Sequence, residues 1–274
     1  MTALDLPGKA ADFVLSSQEN AVSAKDALTP GCDGLRLFEA PLFAFGEAAD
    51  PLFERLREPE AAGGLFRRPA EWLPGAKTVV SFFLPFCEPV RRSNRAEREL
   101  PSPEWLHGRI EGQVLLDKLC DFLAGEIAAA GGACVAPSLD GRFRQEVTWR
   151  DGQKIYATSW SERHVAFVCG MGTFGLSRGI ITEKGMAGRL GSLVTTLELP
   201  STPRKYTGIY EYCVMCGKCV KNCPADAITL ERGKEHAPCS EVVDHTKELF
   251  APRYGCGKCQ VAVPCEAKIP KRPV

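Results

Sequence analysis

The sequence predicts an α/β core followed by a small cysteine-rich module. Three observations lead there: strand-like and helix-like segments alternate through the first 200 residues, a proline-rich stretch breaks the pattern at residues 199–208, and eight of the 13 cysteines lie beyond it. The expected division is residues 1–200 for the core and 201–274 for the module.

In chain order, residues 35–41 read as a strand, and the β-branched and aromatic run from Thr78 to Leu84 reads as a buried one. Leu115, Leu116, Leu119, Phe122, Leu123 and Ile127 recur at helical spacing within residues 109–130, and Gly131 and Gly132 close that helix. Residues 133–137 are the next strand, and Ser161 and Glu162 open a further helical segment. Residues 180–182 and 193–199 are extended. The module holds few core residues of its own, so bound metal must help hold it together.

Composition excludes several classes. Hydrophobic content of 45% and charged content of 25% are those of a globular protein, and a formal net charge of zero advertises no broad grip on nucleic acid. No apolar run is long enough to span a membrane, and the first residues lack the pattern of a secretion signal. A reduced, cytoplasmic setting is expected for so many closely spaced thiols.

Cys213, Cys216, Cys219 and Cys223, followed by Pro224, have the spacing Cys-x2-Cys-x2-Cys-x3-Cys-Pro. This is the bacterial ferredoxin run that holds cubane iron–sulfur clusters, its fourth cysteine reaching a neighbouring cluster. Zinc is the competitor, but it favours two Cys-x2-Cys hooks separated by a loop. Cys239, Cys256, Cys259 and Cys265 supply the second set. By the crossed-ligation rule, Cys213, Cys216 and Cys219 join Cys265, while Cys239, Cys256 and Cys259 join Cys223. The second run is irregular, with 16 residues between Cys239 and Cys256, and Pro264 before Cys265 in place of after it. Cys265 therefore has an alternative, a thiol elsewhere or an open iron.

Gly170, Gly172 and Gly175 match G-x-G-x-x-G, and residues 164–168 could pass for the strand before it. A nucleotide site requires a clean helix afterwards, whereas the following residues are broken by further glycines. A plain turn and a glycine-lined face for a flat cofactor are the other two readings.

Taken together, residues 73–81, the Ser161-Glu-Arg-His-Val-Ala segment, the glycine cluster, residues 191–196 and the cysteine tail resemble the epoxyqueuosine reductase group, relatives of the corrinoid-dependent reductive dehalogenases. The resemblance covers roughly residues 30–266. It implies a nitroreductase-like α/β core, a ferredoxin-like tail with two 4Fe–4S clusters, and cobalamin bound beside one of them. It also implies that Arg163, Gly170, Gly172, Gly175, Ser177 and Arg178 border the cofactor. Where epoxyqueuosine reductase has an aspartate six residues before the Glu-Arg pair, this chain has Tyr156, and dehalogenase relatives use a tyrosine as the acid. Tyr156 is thus either a proton donor, with Lys154 or Arg163 nearby, or a packed strand residue. The family's Gly-Lys-Asn step is replaced by Gly175-Leu-Ser-Arg.

The expected function is an iron–sulfur oxidoreductase that reduces a small organic or modified-nucleoside substrate. The alternative is an electron-transfer or interaction protein of the same fold without corrinoid. Residues 201–274 carry 12 Lys and Arg against eight Asp and Glu, a balance suited to an acidic ferredoxin or flavodoxin donor. The HEAT-like extension of tRNA-acting members is not in this sequence, and charge does not favour a tRNA substrate.

Overall fold

A computed structural model describes residues 4–150 and 153–272. The helices are α1 (Leu6–Ser16), α2 (Pro51–Arg55), α3 (Pro69–Trp72), α4 (Glu88–Ala96), α5 (Pro103–Ala129), α6 (Glu162–Val168), α7 (Lys218–Lys221) and α8 (His236–Phe250). The strands are β1 (Leu42–Glu47), β2 (Thr78–Pro85), β3 (Cys134–Val135), β4 (Gln145–Arg150), β5 (Gln153–Thr158), β6 (Gly172–Phe174), β7 (Ile180–Thr182), β8 (Gly188–Thr195), β9 (Ile228–Thr229) and β10 (Gly233–Lys234).

A four-stranded sheet of order β1-β2-β8-β3 lies at the centre, and every pairing in it is antiparallel. All eight residues of β2 are buried. Val80, Phe82 and Leu84 join α1 and α5 in one apolar cluster, while Val79 and Phe83 join α2, α3 and α6 in another. Coverage on both faces explains why β2 reads as a continuous apolar run and not as an alternating one. The strand expected at 35–41 begins later, at Leu42; Arg36 and Phe38 make only isolated bridges. Residues 164–168, which could pass for a strand, are helical in α6, so the strand–turn–helix order of a nucleotide fold is absent there.

The mixed α/β core meets the cysteine tail along α4, α5 and the β7–β8 turn. Lys258, lodged between Cys256 and Cys259 and only 3% exposed, donates to Asn94 O, Asn94 Oδ1 and Glu97 O at 2.8–3.0 Å. Asn94 returns a bond from Nδ2 to Cys256 O at 3.1 Å. Gly257 has φ +71 and sits so close to the Trp105 ring that a Cβ would come within 2.1 Å. No helix among the described residues is long and apolar enough to cross a membrane.

Candidate iron–sulfur and substrate site

The eight tail cysteines fall into two spatial sets. Cys223, Cys239, Cys256 and Cys259 line a cavity of about 270 Å3, whose other walls include Phe86, Trp105, Arg109, Arg189, Lys234 and Tyr254. Cys213, Cys216, Cys219 and Cys265 line a second, narrower cavity with Gly175, Leu176 and Ser177. There Cys265 Sγ lies 3.4 Å from Met186 Sδ, and Cys213 Sγ 3.7 Å from Met215 Sδ. All eight cysteines are free thiols, and Cys216 is the one exposed to solvent. Among the described residues no three Cys, His, Asp or Glu side chains converge on a single metal ion. Ligands of a cubane bind different iron atoms and stand further apart than the four ligands of one zinc ion.

Local structure delivers these thiols. Gly217 (φ 67) and Met215 (φ 50) occupy left-handed backbone, which coils the first run tightly before α7 begins. Cys239 rides on the first turn of α8. Cys265 is tied to the core by Met186 N–H, which donates to its carbonyl at 3.0 Å. Burial raises the pKa of Cys219 and Cys256 to about 11 and that of Cys265 to about 12. These sulfurs stay protonated at neutral pH unless a metal holds them as thiolates.

The glycine cluster has a different role from the nucleotide reading. A Cβ on Gly172 would lie 2.1 Å from Ile181 O, so that glycine permits the close β6–β7 pairing. Gly170 (φ +91) makes a turn against Thr202 O. β6 then supports the approach to the first cysteine run, through Phe174 N–H to Ile209 O at 2.8 Å and Tyr212 N–H to Thr173 Oγ1 at 2.9 Å. Gly175 and Ser177 are buried beside the cavity of Cys213 and its partners.

Tyr156 and Arg178 meet at His236, three residues before Cys239, and Arg163 joins them through the Arg178 carbonyl. The Tyr156 ring stands edge-on to His236 with centroids 5.1 Å apart, and Lys154 Nζ lies 5.4 Å from the Tyr156 ring centroid. Lys154 Nζ donates to Ser240 Oγ at 3.0 Å, Arg163 Nη1 to Arg178 O at 2.9 Å, and Arg178 Nη1 to His236 Nε2 at 2.8 Å. Burial and the surrounding cations lower the His236 pKa to about 4, so its ring is neutral and Nε2 is an acceptor. Arg163 is solvent-accessible yet densely surrounded by protein. Its pKa is lowered by that burial and by Arg178, while the Cys259 and Cys239 sulfurs oppose the shift. Lys234 borders the 270 Å3 cavity together with Cys239, and its charge also acts on His236, so it joins the two locales.

Two features escape a reading of the sequence. Arg189, from β8, lines the cavity with its Nε buried and unpartnered, and burial lowers its pKa to about 10. Glu162, the acid of the Glu-Arg pair, turns away from the cleft into the core. Ser192 Oγ donates to Glu162 Oε2 at 2.7 Å, and Trp160 Nε1 donates to Ser192 Oγ at 2.8 Å. Alternation along α6 could have flagged this, since adjacent helical residues point to different faces. Cys169 is sealed against Gly46 and Val79 O, and burial pushes its thiol pKa far up.

Residues 206–229 match the model of a 4Fe-4S binding domain. The chain is similar to reductive dehalogenases and epoxyqueuosine reductases. It is 41% identical over 70 residues to a tetrachloroethene reductive dehalogenase of Desulfitobacterium hafniense, a match that covers 25% of this chain and 12% of that protein. A solved catabolic reductive dehalogenase shares the fold at TM-score 0.51 and 13% identity, over 84% of this chain and 30% of that one. The epoxyqueuosine reductase of Streptococcus thermophilus aligns with TM-score 0.46 and 20% identity, over 85% of this chain and 64% of that one. The chain thus spans about an eighth of the length of the curated relative.

Proposed function

We propose that the chain is an iron–sulfur reductase whose core, residues 1–200, is nitroreductase-like and whose tail, residues 201–274, holds two 4Fe–4S clusters. The observation that carries this reading is the division of eight thiols between two cavities, four to each. Cys213, Cys216, Cys219 and Cys265 would hold one cluster. Cys223, Cys239, Cys256 and Cys259 would hold the other. Met215, partly exposed, lines the narrower cavity beside Cys213.

A corrinoid beside the cluster of Cys223, Cys239, Cys256 and Cys259 completes the proposal, and Arg189, which lines that cavity with an orphaned Nε, supports it as a donor awaiting an acceptor. When bound, the clusters supply one-electron transfer and the corrinoid supplies a strongly reducing metal centre. The chain's own residues then bind and orient the substrate beside them. Tyr156 Oη donates the proton, and the ammonium of Lys154 stands 5.4 Å from its ring centroid. Arg163 and Arg178 hold the substrate against Tyr156. The exposed Cys216, with Lys218 and Lys221 exposed beside it, marks the end at which an acidic ferredoxin or flavodoxin would dock. Lys258 is buried in the α4 contact and takes no part in docking. A small organic substrate fits this cleft better than tRNA, given the zero formal net charge.

The test is metal analysis of protein purified without oxygen from cells supplied with cobalamin. About eight iron atoms and one cobalt per chain are expected, with the broad visible absorption of cubanes. Zinc, or iron for one cluster alone, would overturn the two-cluster reading; iron without cobalt would leave an electron-transfer protein. Replacing Tyr156→Phe should cut turnover about 100-fold or more, in the range of a lost general acid, without changing the iron content.

A further inference from the structure

We propose that Lys154, Tyr156, Arg163 and Arg178 form a receptor for an anionic group, a carboxylate or phosphate, carried by a small molecule. As an assignment of substrate class, this rests on the reductase reading above; as a binding site, it stands alone.

Lys154, Arg163, Arg178 and Lys234 are drawn together around His236, and none of the ion pairs among the described residues includes any of them. Like charges gathered in a partly desolvated cleft repel one another, and folding tolerates this where something else gains from it. A cysteine-bound cluster is anionic and offsets part of the charge, but of the four cations only Lys234 lines the cavity of Cys223, Cys239, Cys256 and Cys259. Lys154 and the two arginines are left over.

Geometry points the same way. Arg178 adopts φ 60, a left-handed conformation costly for a residue with a Cβ. The turn holds it there through Arg178 N–H to Gly175 O and Gly175 N–H to Gly179 O, at 2.8 and 2.7 Å. This conformation aims the guanidinium at His236, whose neutral ring accepts one of its five donors. Arg163 spends one donor on the Arg178 carbonyl, and its exposed side chain leaves the others open to a ligand. Two such forks beside a phenol and an ammonium match the planar, multiply accepting edge of a carboxylate or the face of a phosphate.

The test is calorimetric titration of the full chain, reconstituted without oxygen, with benzoate, phenyl phosphate and uncharged benzamide. At least one anion should bind tenfold or more tightly than benzamide, with an affinity that falls as salt is added. Whether benzoate or phenyl phosphate binds better identifies the headgroup. Arg163→Gln and Arg178→Gln should each weaken that binding at least tenfold while iron content is unchanged. Equal binding of benzamide, no binding of either anion, or unchanged affinity in both variants would overturn the proposal. Should both variants lose iron together with binding, Lys154→Gln decides: unchanged anion affinity in that variant also overturns it. Iron and cobalt assays are separate readouts, so a failure of the reductase reading is distinguishable from a failure of anion binding.

Discussion

Glu162 and Arg163 are neighbours in sequence with opposite environments. The Glu162 carboxyl is enclosed by α6 and β8, and burial raises its pKa from 4.5 to about 7 against the pull of its hydrogen bonds. The unfolded chain ionises from pH 4.5 upward while the folded chain keeps its proton, so the unfolded state binds fewer protons and stability falls as pH rises towards 7. Above 7 both states are ionised and the loss levels off, at about 3 kcal/mol for a shift of this size. Glu162→Gln should flatten the decline, which urea midpoints measured between about pH 5.5 and 8 will reveal. The Glu-Arg pair was legible as a motif in the sequence. Which member faces the cleft was not, because that depends on how α6 is rotated against β8.

At the scale of elements, the clamp between α4 and the second cysteine run sets how the tail meets the core. Asn94 is fully buried and serves three partners: Ser102 N–H and Lys258 Nζ donate to its Oδ1, and its Nδ2 donates to Cys256 O. Ser102 in turn caps α5, accepting from Trp105 N–H at 3.2 Å. Asn94→Ala strands buried polar groups on both elements and should cost about 2–4 kcal/mol, given roughly 1–3 for each unsatisfied group. The same variant should lose iron faster than the parent protein when challenged with a chelator, since Cys256 loses its tether. The long helix α5 was visible in its leucine spacing, but it starts at Pro103, ahead of the apolar stripe. The β4–β5 hairpin that carries Lys154 and Tyr156 left only a short trace, Val147 and Trp149 alternating with polar residues, and both of those side chains are exposed, outside the core that apolar patterning reports.

For the whole molecule, the balance between core and tail decides how metal and folding are coupled. The two apolar clusters lie almost wholly in the first 200 residues, and Val261 is the one tail residue in them. Removal of iron by a chelator in the absence of oxygen should therefore unfold the tail first and leave the sheet of β1, β2, β3 and β8 intact. Hydrogen exchange can check this: protection should vanish in α8 and persist in β2. Loss of protection throughout would mean that the tail also holds the core together.

The cysteine spacing alone determined that this chain binds iron and sulfur near its end, because ligand reach is a local property of a dozen residues. Helical periodicity and the apolar run of β2 were local in the same way. The tertiary structure decided which cysteines share a cavity, that the glycine cluster serves a tight strand pairing, and that Lys154, Arg163 and Arg178 gather around His236, against which Tyr156 packs. Those placements join residues far apart in the chain, and only packing across the sheet and the tail can bring such charges to one cleft.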